Sequence, residues 1–249
     1  LAAKVTHDSG SLSLDDVTGG FMGGKLTGRL AMSTGEGAGI FRTKIAVTDA
    51  NPEPILWANV NGPVATGRVA LDLTAESTGK SVGEILRSAG GSGEIRAGGL
   101  VLKGLNPGAL PPILQAADGL QQPIDAPKVR PLVDQNLWQG EIGLGDVALP
   151  FSLNGGALHF QNLRAGIDPV TLAGDATVDI AASTVNGDLD LLFNPGTEAV
   201  AGAEPSLRLN YNGPLAAPAL TIDVSTLSNY LSLRAFEKER RRVEAMQAS

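Results

Sequence analysis

LRLNYNGPLAAPALTIDVSTLSNYLSLRAFEKERRRVEAMQ, residues 207–247, holds the pattern that decides the fold. Leu207, Leu209 and Tyr211 fall on one face of a strand, and Leu220, Ile222 and Val224 on one face of a second. Asn212-Gly213-Pro214 reads as the turn between them. From Ser225 or Thr226 to about Met246 the spacing becomes helical, and Leu227, Tyr230, Leu231 and Arg234 share a face. Glu237 to Arg242 is charged on all sides, so this half of the helix is expected on solvent or docked on a partner. Arg240, Arg241 and Arg242 are the candidate docking residues.

The same phrase occurs earlier, as Asn61-Gly62-Pro63-Val64-Ala65 followed by alternating Val69, Leu71 and Leu73. Strand pairs joined by turns are therefore the unit, and the charged helix is the end piece. In Lys25-Leu26-Thr27-Gly28-Arg29-Leu30-Ala31-Met32 every second position is apolar, which puts one face on a core and leaves the other wet. Leu12 to Leu14, Phe41 to Val47, Ile55 to Val60 and Val69 to Leu73 continue the pattern, with a turn cluster at Asn51-Pro52-Glu53-Pro54.

Ser81-Val82-Gly83-Glu84 is a capping box, and Val82, Ile85, Leu86 and Ala89 are expected to form the buried stripe of a helix ended by Gly90-Gly91. Strands follow at Gly93 to Ala97 and Leu100 to Lys103. Residues 107–131 then carry Pro107, Pro111, Pro112, Pro123, Pro127 and Pro131. A short helix fits Pro111 through Ala117, and Gly119 to Arg130 reads as a connecting loop. The proline-rich segment reads equally as a domain boundary or as a loop crossing one continuous sheet; on the second reading residues 1–106 and 132–249 are two sub-blocks of a single domain. From Leu137 to Val224 alternation recurs at Leu158 and Phe160, Val178 and Ile180, and Leu189, Leu191 and Phe193. Turns are predicted at Asn154-Gly155-Gly156, Asp168-Pro169, Asn186-Gly187 and Asn194-Pro195-Gly196, which gives an antiparallel meander.

Composition narrows the function. A net charge of −7 lacks the basic stripe of a nucleic-acid surface. The absence of cysteine removes disulfides and thiolate metal sites, and no apolar run is long enough for a spanning helix. No secretory signal is visible; the chain opens on Leu1 inside an alternating pattern and is expected to be a piece of a longer protein. Aromatics at 4% cannot supply the girdles of an outer-membrane barrel. The 32 glycines follow no Gly-X-Y period. The clusters at Gly19 to Gly24 and Gly35 to Gly39 are followed by strand pattern rather than a helix, so they read as turns or bulges and not as phosphate loops.

The search for chemistry finds little. His159 alternates with Leu158 and Phe160 and belongs on a wet strand face; His7 stands far from it in sequence. Asp15-Asp16 is an isolated pair, and Asp188 and Asp190 alternate with Leu189 and Leu191 as an outer strand face would. A calcium loop and a Gly-x-Ser-x-Gly elbow are missing, and two tryptophans, Trp57 and Trp138, disfavour a sugar-stacking cleft. No cofactor, metal or catalytic residue is expected.

The order of these pieces resembles the C-terminal domain of the AsmA family. The resemblance rests on Gly24 to Leu30, Gly67 to Leu73, Gly79 to Leu86, Gly91 to Ile95 and Gly104 to Asn106. It continues through Asn154 to Leu158, Leu172 to Asp175, Asn186 to Leu191, Gly213 to Pro218 with Asp223, and Tyr230 to Glu237. It implies a mainly β fold with a few helices: a curved antiparallel sheet, an open, taco-like groove, closed by a C-terminal helix. It also implies a non-enzymatic periplasmic protein of Gram-negative outer-membrane biogenesis, related to TamB. In that family an N-terminal anchor holds the parent protein in the inner membrane. The expected partner is phospholipid or another acyl lipid, carried along an aliphatic groove. Leu158, Phe160, Leu189, Leu191, Phe193, Leu207 and Leu209 are the groove candidates, with ordinary core packing as their alternative. The competing readings are a partner-docking cap of an elongated envelope protein and a glycan-active enzyme.

Overall fold

A computed structural model describes residues 1–8, 10–35, 38–59 and 62–247. Its strands are β1 (Ala2–Asp8), β2 (Ser11–Phe21), β3 (Gly24–Gly35), β4 (Ala38–Ala50), β5 (Ala58–Asn59), β6 (Gly62–Pro63), β7 (Ala65–Gly79) and β8 (Gly90–Lys103), followed by β9 (Glu141–Asn154), β10 (Ala157–Ile167), β11 (Val170–Asp179), β12 (Thr184–Phe193), β13 (Ser206–Pro214) and β14 (Ala219–Asp223). The helices are α1 (Val82–Ser88), α2 (Leu110–Ala117), α3 (Ala126–Asn136) and α4 (Ser225–Gln247).

Twelve strands form one antiparallel sheet in chain order, and β5 and β6 make a separate small hairpin between β4 and β7. The sheet is curved and unclosed. It runs unbroken across the proline-rich segment, because β8 pairs directly with β9 from Gly91↔Leu153 to Lys103↔Glu141.

Register assigns the two faces. Gly174, Leu189, Leu209 and Ile222 lie side by side across β11 to β14, as do Ala176, Gly187, Tyr211 and Leu220. The same inner face continues through Leu26, Val47, Leu71, Ile95 and Leu149 on the other limb. The outer face carries cross-strand ion pairs such as Arg42 with Glu76, Arg96 with Asp72 and Arg208 with Asp190. Alternating sequence thus becomes an apolar inside and a charged outside.

Three helices plug one end of the inside. Leu110, Ile113 and Leu114 of α2, Val129 and Val133 of α3, and Leu227, Tyr230 and Leu231 of α4 pack on Val170, Leu191, Phe193, Leu207 and Leu209. Each fully buried large side chain contributes roughly 1.5–3 kcal/mol of gross transfer free energy, an upper estimate. The far limb has no such cover: Leu12, Leu14, Leu30, Met32 and Phe41 stay half-exposed.

Several local expectations are corrected. Asn186-Gly187 and Asn212-Gly213-Pro214 are not turns; both lie inside strands, where Asn186 faces Asn212. The chain reverses instead between Asp179 and Thr184 and between Pro214 and Ala219. Gly93–Ala97 and Leu100–Lys103 belong to one strand interrupted by a bulge. The segment Ile55 to Val60 is a 3-10 turn over Glu53–Ile55 and the two residues of β5, with Val60 and Asn61 outside the described residues. Glu36 and Gly37 also lie outside them, while Gly19 and Gly20 are paired inside β2, Gly24 opens β3, and Met22-Gly23 makes the turn between them.

Residues 119–130 hold more than a loop, since α3 starts at Ala126. The Asp125 carboxylate accepts the Lys128 N–H (3.2 Å), Pro127 occupies the first turn, and Pro131 is carried inside the helix. Burial of Val129, Val133 and the following Leu137, all at 0% exposure, outweighs the proline's lost hydrogen bond.

Helix α1 forms with its cap, Glu84 N–H to Ser81 Oγ at 3.3 Å, but its stripe is not buried. Val82 is 74% exposed and Leu86 37%, because α1 rides over the open end of the sheet beside β7.

Candidate functional site

Between the helical plug and the unclosed limb lies a cleft of about 660 Å³. Leu172, Ala176, Leu189, Leu209 and Leu220 supply one wall from β11 to β14. Leu56, Trp57 and Val64 of the β5–β6 insert supply the opposite wall, with Ala65 and Leu102 at the ends of β7 and β8. Leu105, just beyond β8, is buried on the plug side, and Trp138, between α3 and β9, borders the cleft with 38% of its surface exposed.

Trp57 and Tyr211 meet as a tilted aromatic pair, which fastens the insert to β13. Lys103 N–H to Val64 O (2.9 Å) also ties the insert to β8, and Val64 N–H to Trp57 O (3.0 Å) closes the insert on itself. Gly187 opens space beside Tyr211: a Cβ there would meet nothing nearer than Tyr211 Cβ at 3.7 Å. Lys103 also borders the cleft, with Nζ 3.9 Å from Glu141 on the neighbouring strand. Burial pushes the Tyr211 phenol above its ordinary pKa. Its hydroxyl and the Nε1–H groups of Trp57 and Trp138 have no hydrogen-bond partner among the described residues.

The groove candidates separate into three places. Leu189 and Leu209 line the cleft. Leu191, Phe193 and Leu207 lie beneath the helices, at 0%, 5% and 0% exposure. Leu158 and Phe160 sit on the inner face of β10, and Phe160 packs on Phe151 with ring centroids 5.5 Å apart. Trp57, Trp138, Leu56, Val64 and Leu105 are cleft residues that are not among the groove candidates; Leu56 and Trp57 fall within Ile55 to Val60, which alternation reads as strand, whereas both tryptophans lie outside strands.

The plug is locked by charge as well as packing. Arg234 of α4 is buried (5% exposed), and its guanidinium donates to Asp118 after α2 (2.5 Å) and to Glu198 in the β12–β13 connection (2.6 Å). Burial alone would lower this guanidinium; hydrogen bonds and charge from Asp118 and Glu198 outweigh it and hold the pKa above its ordinary value. Hydrogen bonding from Arg234 holds the Asp118 carboxyl below its usual range, and Lys238 adds to this. Tyr230 Oη donates to Glu198 O (2.7 Å), Ser232 Oγ to Ile124 O (2.8 Å) and Arg130 Nη1 to Ile222 O (3.0 Å), tying α3 and α4 to their surroundings.

Arg240, Arg241 and Arg242 stand on solvent and pair within α4, with Glu244, Glu237 and Glu239 respectively. Their neighbours Phe236 and Met246 are 68% and 60% exposed. His159 sits on the outer face beside Thr177 (3.2 Å), and Asp188 and Asp190 pair with Arg208 at 3.4 and 3.0 Å. These placements match a wet strand face. Among the described residues no group of three or more His, Asp or Glu is placed to hold a metal, and no helix is long and apolar enough to cross a membrane. Comparison with known protein families, curated proteins and solved structures finds no match for this chain.

Proposed function

We propose that this chain handles an acyl lipid without catalysing a reaction on it, holding the lipid against the apolar inside of its curved sheet. One observation carries this reading: a half-open cleft of about 660 Å³, walled by aliphatic and aromatic side chains, at the place where an uncovered apolar sheet face meets the helical plug. Such a surface gains by burying hydrocarbon and offers few hydrogen bonds to a polar substrate. A flexible chain suits an aliphatic lining, whereas a planar ring system calls for more aromatic stacking than 4% aromatics provide.

The resemblance to the AsmA family extends this to a periplasmic role in outer-membrane biogenesis, with phospholipid as cargo and an inner-membrane anchor on the parent protein. Native mass spectrometry of the purified chain, released gently from detergent, tests the reading. Acyl lipid should co-purify, and Leu189→Asp, which puts a carboxylate on the cleft wall, should strip it. A lipid-free protein that takes up no added phospholipid would sink the proposal.

A second reading, a cap that docks a partner protein, is favoured by the exposed outer half of α4 with Phe236 and Met246. Under it, replacing Arg240, Arg241 and Arg242 by glutamate abolishes crosslinking to the partner and leaves lipid uptake unchanged.

A further inference from the structure

We propose that the cleft takes one linear acyl chain at a time, its carbonyl end held at the aromatic rim formed by Trp57, Trp138 and Tyr211. This rests on the lipid-handling reading above and specifies its ligand.

Volume sets the number of chains. A methylene occupies about the space of a liquid water, roughly 30 Å³, so about 660 Å³ holds on the order of twenty such groups. The enclosed part of the cleft thus seats one long chain, and the second tail of a diacyl lipid lies outside it on the uncovered sheet face. The floor sets the direction. Ala65, Leu105 and Leu209 are all buried and give the methyl end nothing but hydrocarbon. The plug behind them stops the chain.

The rim sets the chemistry at the other end. Exposed Trp138 and part-buried Trp57 and Tyr211 bring two N–H groups and one O–H group that no described protein atom satisfies. Aromatic residues with an apolar body and a polar tip suit the boundary where a chain leaves hydrocarbon. An ester or carboxyl carbonyl accepts the hydrogen bonds that these tips offer. Gly187 and its register neighbour Ala176 leave the room between rim and floor that the chain needs.

Both tryptophans of the chain border this one cleft, so they report on it directly. The delipidated protein is titrated with a lysophosphatidylcholine brominated close to its ester carbonyl, since bromine quenches indole emission only at close range. Emission should fall by more than half, saturate at one lipid per protein by native mass spectrometry, and persist in both Trp57→Phe and Trp138→Phe. Gly187→Leu, which fills the cleft, should weaken binding at least tenfold while keeping the parent circular dichroism and melting temperature. Ala176→Leu is the second filling variant if the first folds poorly.

With unbrominated chains of increasing length, affinity should rise roughly fourfold per methylene until the cleft is full. A brominated free fatty acid separates carboxyl from ester recognition, and brominated diacyl vesicles test the two-tailed lipid. A lipid that binds without quenching, binding unmoved by either filling variant, or two lysolipids per protein would each overturn the single-chain site and leave lipid handling standing. The absence of any lipid adduct would overturn lipid handling itself.

Discussion

Trp57 and Tyr211 face each other across the cleft with ring centroids 5.6 Å apart and planes inclined by 48°. The first belongs to the insert between β4 and β7, the second to the inner face of β13, so this contact joins the two limbs of an unclosed sheet. Removing either ring should therefore loosen the insert more than the sheet. Trp57→Ala is expected to cost about 0.5–1.5 kcal/mol beyond lost area. Hydrogen exchange at the amides of Val64 and Lys103, which fasten the insert, should quicken while β12 and β13 stay protected. Equal acceleration throughout would mean that the insert is not a separate unit.

Arg234 offers a sharper stability test. Its partners Asp118 and Glu198 are about 40% exposed, so water can take up part of their charge when the guanidinium is lost. Arg234→Met, which keeps the stem, should cost about 2 kcal/mol, below the full penalty for breaking a deeply buried pair. The urea midpoint measures it, and an unchanged midpoint would show that α4 is held by packing alone.

The same clamp has a pH signature. Hydrogen bonding from Arg234 lowers the folded Asp118 pKa below its unfolded value, so the carboxylate contributes stability that is fully present above the ordinary range, near 4. That contribution is lost as pH falls through the lower, folded value. Asp118→Asn should thus lower stability by a constant amount above about pH 5, and the difference from the parent should shrink on acidification. Asp223, lowered by its bonds from Ser225, adds a slope of the same sign that the substitution leaves in place. A difference that stays constant down to pH 2 would contradict this assignment.

Neighbouring leucines on β12 should behave differently. Leu191 is fully buried under the helices, and Leu191→Ala should cost about 2–5 kcal/mol in thermal or urea unfolding. Leu189 borders open space, so Leu189→Ala should cost about 1 kcal/mol and act mainly on lipid retention. A charge placed at Leu191 reports on unfolding and says nothing of the groove; the groove must be tested at Leu189.

The strands and their faces were legible because period-two alternation leaves one side apolar wherever a sheet has an inside, as at Leu207, Leu209 and Tyr211. What alternation cannot encode is which part of that inside is covered. Leu191 and Leu14 occupy equivalent inner-face positions, yet helices lie over the first and not over the second. Asn186-Gly187 misleads because its glycine serves space beside Tyr211 rather than a left-handed turn. By contrast Gly155 and Gly156, with φ of 60° and 80°, take the conformation that a two-residue hairpin requires. Helix α3 stayed hidden because Pro131 breaks the local pattern that tertiary burial restores. The cleft was the least visible feature, since Trp57 and Trp138 reach it from connections whose path only the folded chain reveals.

Every strand of the main sheet pairs with the strand before it in the chain, the small insert aside. A chain that emerges from its N-terminal side can therefore add each strand to an edge already in place, with no need to thread or rearrange. The far wall of the cleft, β13 and β14, and the helix that locks the plug are the last pieces to arrive. Synthesis thus runs through a long stage in which the sheet is nearly complete and the cleft does not yet exist, so the closing residues of this stretch decide when the cleft first forms.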